Sequence, residues 1–289
     1  MNYVLILIDY LPEYLHFVVN SILSVDRDAK IYICGNTNPG FRNTEFINIE
    51  DLNSVHANEF IEKKIYSKTL FESNPLWLTS VLRVFYLERF VKNVISNDVV
   101  HFDNDILIYK SINNINSDLI SSNKLNITPA SPKKLIFGYS IIKNSKPLST
   151  ICSDINQIAD FGIQNNWIIN NGKPLNEMQF LGNIYSENKS TISLLPTLPY
   201  DSNIIFDPSN YGQYFDGTHT KPRKFLSKKE IYNQNEDIDR EIKVKRIKPI
   251  FKNGEPFVLW NRRKFDLINL HIHSKRFKNY LPKEYKNYV

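Results

Sequence analysis

VVHFDNDILIY, residues 99–109, is the stretch on which the fold turns. Apolar and aromatic side chains flank it as in a buried β-strand, yet Asp103 and Asp105 interrupt it. Strand side chains alternate between faces, so both carboxylates are expected on one face, with Asn104 opposite. Two neighbouring carboxylates repel and desolvate each other, and something positive must hold them. A divalent cation carrying a nucleoside diphosphate fits that need, Mn²⁺ or Mg²⁺ with hard oxygen ligands and bridging phosphates. An Asx turn at a surface hairpin is the bland alternative. The wholly apolar flanks, His101 apart, argue against it.

Working outward, the first third alternates strand and helix. Residues 3–8 (YVLILI) read as a strand, and 12–24 as a helix with Pro12 in its first turn. Residues 30–34 and 45–49 read as further strands, and 54–72 as mixed and mainly helical. This βαβ rhythm implies a parallel sheet with crossover helices. Residues 77–93 (WLTSVLRVFYLERFVKN) form a helix with Ser80 and Arg83 three apart on one face. Ligands of such sheets sit at the C-terminal ends of strands, which brings Asp9 toward Asp103 and Asp105. Residues 111–150 read as loops and edge strands. Residues 174–187 read as a helix with Asn176 as N-cap and Gln179 completing a capping box. Short strands are expected at 191–195 and 203–206, an aromatic Gly-containing loop at 207–220 and partial helix over 226–245. Late strands follow at 257–260 and 267–273.

The 289 residues suit one domain, with a nucleotide-binding half (1–110) and an acceptor half (111–289) ending in a basic tail. Cys34 and Cys152 are the two cysteines, too few for a disulfide framework, and Cys34 reads as a plain buried thiol, which suits a reducing, cytoplasmic setting. No apolar run approaches the roughly 20 residues needed to span a bilayer. The N-terminus lacks the basic region of a signal peptide. Residues 1–218 carry a net charge of −5 and residues 219–289 of +11. That basic quarter suits donor phosphates, a solvated face or a peripheral contact with an anionic membrane. Nucleic acid is disfavoured, because no recognised binding motif accompanies the charge.

Further residues carry chemistry. His271 and His273 share one side of a strand, and either can add a nitrogen ligand to the cation, with Lys275 next to them for a phosphate. Arg83, on an otherwise apolar helix, needs a partner. That partner is an acid such as Asp105, or the donor's hydroxyls or pyrophosphate. Glu177 opens a helix, where the dipole favours a carboxylate, and it can also take a proton from an acceptor hydroxyl. The loop Gly212–Gly217 offers Tyr214 and Phe215 for stacking on a sugar and Asp216 for its hydroxyls.

Together these pieces resemble the GT-A glycosyltransferases, the nucleotide-sugar transferases with a DxD motif. Ser80, Arg83, Tyr86 and Leu87 followed by HFDNDILIY resemble the family's region before and through that motif. NEMQF, with Glu177, resembles its later acidic helix start. FDPSNYGQYFDGT resembles an FD…GQYxGG loop, with Asp216 where a glycine is usual, and NLHIHSK resembles its C-terminal His-plus-Lys element. The resemblance implies an α/β fold, a single Rossmann-like domain with a mostly parallel central sheet flanked by helices. It implies a UDP- or GDP-sugar donor, a glycan or other hydroxyl acceptor, and Mn²⁺ or Mg²⁺. Asp103, Asp105, His271 and His273 would be the metal candidates. Asp9, Ser80, Arg83, Asp103, Asn104 and Lys275 would serve the donor, and Glu177 and Asp216 the catalysis. A non-catalytic nucleotide- or carbohydrate-binding module of the same fold is the rival reading.

Overall fold

A computed structural model describes residues 1–67, 74–95, 98–131, 133–165, 174–217 and 237–289. The chain opens with β1 (Asn2–Leu7), α1 (Leu15–Val25), β2 (Lys30–Gly35) and β3 (Glu45–Asn48), then α2 (Val55–Glu62), α3 (Leu76–Asn93) and β4 (Val99–Phe102). It continues through β5 (Ile106–Ile108), β6 (Leu125–Ser131), β7 (Lys134–Ile142), α4 (Lys146–Gln164) and α5 (Glu177–Glu187). Then come β8 (Ile192–Leu194), β9 (Ile204–Ile205), α6 (Gln213–Asp216), α7 (Asp237–Val244), β10 (Lys248–Lys252), β11 (Glu255–Trp260), β12 (Arg263–Leu267) and β13 (Asn269–His271).

The central sheet has seven strands in the order β3-β2-β1-β4-β7-β6-β8. All neighbours run parallel except β7, which is antiparallel to β4 and β6. This is the expected α/β architecture, a mostly parallel sheet with helices on both faces. β1 shows why the strand had to be apolar on both sides. Tyr3, Leu5 and Leu7 pack toward α1 and the C-terminal strands, whereas Val4 and Ile6 pack toward α2–α5. A four-stranded sheet (β10-β11-β12-β9) and a two-stranded one (β13-β5) lie on the α1 side.

The 99–109 stretch is not one strand. It ends as β4 at Phe102, turns over Asp103–Asp105, and resumes as β5 in another sheet. The turn closes through Ile106 N donating to the Asp103 carbonyl (3.2 Å). β5 pairs antiparallel with β13, His271 opposite Ile106. A step between sheets needs a break in the ladder, and a short polar tripeptide supplies it.

Four other expectations shift. Pro12 lies three residues before α1 and accepts from Leu15 N, so it is not in the helix. Within 111–150, β7 is an interior strand and not an edge. Residues 146–150, read as loop or edge strand, open the helix α4, which runs on to Gln164. Its signal is Pro147 in the first turn and buried Leu148, Ile151, Cys152, Ile155 and Ala159 at helical spacing. The 207–220 loop contains the short helix α6. The capping box of α5 forms as read, Asn176 and Gln179 each bonding the other's backbone N–H at 3.0 Å. Residues 68–72, 218–220 and 226–236 of the expected elements lie outside the described residues.

The C-terminal tail is pinned to α1. Buried Asn20 donates to the Tyr285 hydroxyl (3.2 Å) and Asn287 Oδ1 (2.9 Å) and accepts from Tyr288 N (2.7 Å). Phe277 and Tyr280 are buried as well, so these tail aromatics face inward while Lys278, Lys283 and Lys286 stay outside. Among the described residues no helix is long and apolar enough to cross a membrane. Both cysteines are buried free thiols.

Candidate active site

The Asp103–Asp105 turn lies where β1 and β4 end, and the C-terminal strand β13 comes up beside it. Asp103 is fixed through its backbone, its N–H donating to the Gly138 carbonyl of β7 (2.9 Å). Its carboxylate forms an ion pair with Arg83 of α3. Arg83 therefore has an acid as partner, as one of the two readings expected, and the acid is Asp103. Burial alone would raise the Asp103 carboxyl, but Arg83 and His271 hold it below the usual range. Behind this pair stands Glu177, buried at the start of α5 and accepting from Phe137 N (3.0 Å). Burial pushes its carboxyl up to about 7, against the pull of Arg83.

Asp105 belongs to a different group. Its Oδ1 lies 2.7 Å from His271 Nε2, and its Oδ2 pairs with Lys275. Burial opposes its ionisation, yet His271 and then Lys275 hold it well below the ordinary carboxylate range. In return Asp105 outweighs burial at His271 and raises that imidazole. His273 follows β13, and its ring stacks on that of His271 (centroids 4.1 Å apart, planes 7° apart). Its Nε2 meets the Ser209 carbonyl at 2.8 Å. Burial and the neighbouring His271 charge lower its pKa to about 3, so it stays neutral. One ligand atom each from Asp105, His271 and His273 lie within 4.8 Å of one another. This N,N,O donor set at a buried carboxylate suits a divalent transition metal. Buried His271 Nδ1 has no hydrogen-bond partner, as a group waiting on a ligand would show.

What seats β13 here is a residue the sequence reading passed over. Buried Asp207 accepts from the backbone N–H of Asn210 (2.8 Å), Tyr211 (2.8 Å), Gly212 (3.1 Å) and His271 (2.9 Å). Asn269 Oδ1 in turn accepts from Asp207 N (3.1 Å). The available signal was an aspartate followed by Pro-Ser-Asn-Tyr-Gly, a pattern suited to gathering successive N–H groups. Gly212 lies so close to the His271 carbonyl that a Cβ there would collide with it. Three non-glycine residues with left-handed backbone flank the site: Asp9 (φ 56°), Ser209 (φ 70°) and Lys275 (φ 58°). Such strain persists only where the surroundings enforce it.

A cavity of about 260 Å³ opens beside the turn, lined among others by Asp9, Tyr10, Leu76, Thr79, Arg83 and Asn104. Asp9 is held there by its N–H on Asn36 Oδ1 (2.9 Å), and Asn104 Oδ1 accepts from the Tyr14 hydroxyl (3.2 Å). Asp9, Arg83 and Asn104 thus line one cavity, with Asp103 tied to it through Arg83, whereas Asp105 faces His271 and Lys275 instead. Ser80 does not line the cavity; its hydroxyl donates back to the Trp77 carbonyl (2.9 Å), and its neighbour Thr79 is the lining residue. Asp216 sits on α6, 3.9 Å from Arg276, with its other oxygen buried.

No protein-family model and no curated protein matches this chain. Solved structures similar to it are glycosyltransferases. One is the galactosyltransferase LgtC in complex with donor and acceptor sugar analogues, at 14% identity and TM-score 0.44 over 73% of this chain and 77% of that one. Mouse xyloside xylosyltransferase 1 is 9% identical, TM-score 0.43, over 68% and 86% of the two chains. The PaToxG glycosyltransferase is 12% identical, TM-score 0.42, over 65% and 69%. At these scores the likeness settles neither substrate nor chemistry, which must come from the side chains.

Proposed function

We propose that this protein is a metal-dependent glycosyltransferase of the GT-A kind, moving a sugar from a nucleoside diphosphate sugar to a hydroxyl of a glycan or other acceptor. The observation that carries the proposal is buried Asp105. It faces His271, His273 and Lys275 at the C-terminal end of a parallel sheet, beside a cavity. Ligands of open α/β sheets bind at that end.

Asp105 and the neighbouring imidazoles would hold the cation, Mn²⁺ or Mg²⁺. When bound, the cation supplies Lewis-acid neutralisation of the departing nucleoside diphosphate. Lys275 reaches the same place and adds a positive charge where negative charge grows. Arg83, kept in place by Asp103, orients the donor from the other side. Asp9, Tyr10 and Asn104 line the cavity that would take the nucleoside. Glu177 is poised near neutrality by burial and would accept the proton of the acceptor hydroxyl. Asp216 would bind other acceptor hydroxyls. The bond from the anomeric carbon to the diphosphate oxygen breaks, and one to the acceptor oxygen forms.

Thermal unfolding with UDP, GDP and their sugars, with and without Mn²⁺, tests the binding step. A rise in Tm that needs both nucleotide and Mn²⁺ is expected. Release of nucleoside diphosphate from the stabilising sugar nucleotide then separates an enzyme from a pure binding module. Asp105→Ala is expected to lose both responses. A fully active Asp105→Ala variant, or no stabilisation by any of these ligands, would overturn the proposal.

A further inference from the structure

The four-stranded sheet β10-β11-β12-β9 has two faces of different character. Register puts Pro249, Val258 and Phe265 in one row across β10, β11 and β12, and the last two are buried in the core beneath. The alternate residues look away from that core. Lys248, Leu259 and Lys264 form one row there, Ile250, Phe257 and Asp266 the next, and Lys252 and Glu255 a third. An antiparallel sheet open to water on one face normally carries polar side chains on it. Here Ile250, Phe257 and Leu259 are neighbours on that face. Among the described residues they are half-buried and pack against neither hydrophobic core. Single exposed apolar residues need no explanation, but a contiguous group ringed by charge marks a contact surface.

The charges of this face are unevenly matched. Lys264 Nζ stands 4.9 Å from the centre of the Phe257 ring and pairs with Asp266 (3.2 Å) and Glu255 (3.4 Å). Lys110, two residues beyond β5, reaches the other oxygen of Asp266 (2.5 Å). Lys110 and Lys264 thus balance the two carboxylates. Lys248 and Lys252 are exposed on the edge strand β10, and neither has an ion-pair partner among the described residues. The C-terminal quarter to which this sheet mostly belongs carries a net charge of +11. The occupant is therefore anionic and able to take up apolar side chains. A second copy fits poorly, because a two-fold axis would set these lysines against their own images. Nucleic acid would engage the lysines through its phosphates and leave the three apolar side chains in water. An anionic lipid surface engages both, with ammonium groups among the headgroups and apolar side chains in the interface.

We propose that the outer face of β10–β12 docks on an anionic phospholipid membrane, with Ile250, Phe257 and Leu259 entering the interface and Lys248 and Lys252 among the headgroups. This surface is distinct from the C-terminal tail, whose aromatics Phe277 and Tyr280 are buried. It does not depend on the sugar-transfer reading. β12 continues through Ile268 into β13, so the docking face and the candidate active site belong to one run of strand.

The test sediments the full-length protein with vesicles of phosphatidylcholine alone and of phosphatidylcholine with about one-third phosphatidylserine, over a range of salt. Binding is expected to the anionic vesicles only, weakening as salt rises. Lys248→Gln/Lys252→Gln is expected to lower that affinity about 30-fold, and its stabilisation by UDP with Mn²⁺ should match the wild type. Phe257→Ser/Leu259→Ser should lower the affinity about 10-fold and leave its salt dependence unchanged. In Phe257→Trp the added indole fluorescence should be quenched by brominated acyl chains, a readout that does not require the serine variant to fold. No sedimentation with anionic vesicles, or equal binding to both kinds, would overturn the proposal. Anionic binding untouched by the lysine substitutions would also overturn it, by placing the contact on another surface. Tighter binding of a single-stranded oligonucleotide than of the anionic vesicles would assign the lysines to nucleic acid and end the membrane reading.

Discussion

Asp103 and Asp105 are one residue apart and answer to opposite halves of the molecule. Asp103 follows β4 of the central sheet, and its carboxylate pairs with the helical layer: Arg83 on α3, with Glu177 of α5 behind it, while His271 acts on it only through its charge. Asp105 directly precedes β5 of the small sheet, and its partners come from the C-terminal quarter: His271, His273 and Lys275. The first group is built around a cation that is part of the chain and always charged. The second is built around groups that can give up their present partners to an incoming ion. A single turn therefore joins a permanent electrostatic frame to an exchangeable one.

Removing the permanent cation should have the largest effect on stability. Arg83→Met leaves Asp103 and Glu177 buried without their counter-charge, which is expected to cost about 3–5 kcal/mol. Urea unfolding measures it. Adding Asp103→Asn should recover part of the loss, since no uncompensated carboxylate then remains. Mn²⁺ affinity should survive in the folded fraction; its disappearance would show the two groups to be one.

Acidity separates the groups next. Burial pushes the Glu177 carboxyl up to about 7, from the 4.5 of a free glutamate. Its raised value means that its contribution to stability is fully present below pH 4.5 and is lost as pH rises through 7. Glu177→Gln keeps an acceptor for Phe137 N and cannot ionise. It should therefore exceed the wild type in stability by a growing margin between pH 5 and 8, reaching about 3 kcal/mol. Denaturant titrations at several pH values check this; a margin independent of pH would refute the buried, near-neutral carboxyl. The Asp105 group runs the other way at its acid end. Its depressed carboxyl contributes stability above 3.8 that is lost as pH falls through the folded value. His271, raised above 6.5, contributes below that pH and loses its part as pH rises through its folded value.

Two glycines allow each group to be disturbed alone. An alanine Cβ at Gly138 would press on Asp103, and one at Gly212 would strike the His271 carbonyl. Each substitution is expected to cost about 1–3 kcal/mol by overpacking. Gly212→Ala should weaken Mn²⁺ binding as well, because it displaces β13 and the stacked imidazoles. Gly138→Ala should leave Mn²⁺ binding nearly intact while disturbing Arg83. Calorimetric titration with Mn²⁺ distinguishes them, and equal losses in both would collapse the distinction between Asp103 and Asp105.

Much of this was legible where local signals alone decide the outcome. YVLILI could only be a strand buried on both faces, and Asn176 with Gln179 could cap only one helix. The site residues were legible by type: two acids, two histidines, an arginine and a lysine in plausible places. Their pairing was not. Periodicity placed Asp103 and Asp105 on one strand face because it registers spacing and is blind to a change of sheet. That change depends on β13, 161 residues further along the chain from Ile108 to Asn269, pairing with β5. Asp207 is legible only in part, for a similar reason: the run after it suits the local N–H groups of Asn210, Tyr211 and Gly212, whereas the fourth, from His271, lies far along the chain and leaves no local pattern. Ser80 shares a helix face with Arg83, but a mid-helix serine readily bonds its own backbone, and Ser80 does so.

The smallest effect concerns a residue in neither group. Tyr10 is 61% exposed at the mouth of the cavity next to Asp9, and its ring supports no core. An exposed aromatic at a ligand cavity offers a flat apolar face on which a nucleobase can stack. Tyr10→Ala should leave stability within about 0.5 kcal/mol of the wild type, as surface changes usually do. Losing a stacking contact of about 1 kcal/mol should weaken UDP binding in the presence of Mn²⁺ by about fivefold. Affinity for Mn²⁺ alone should not move, because Tyr10 belongs to neither the Arg83 nor the His271 group. If UDP affinity also stays the same, the nucleoside lies elsewhere, and the cavity beside Asp103 belongs to the acceptor side of the reaction.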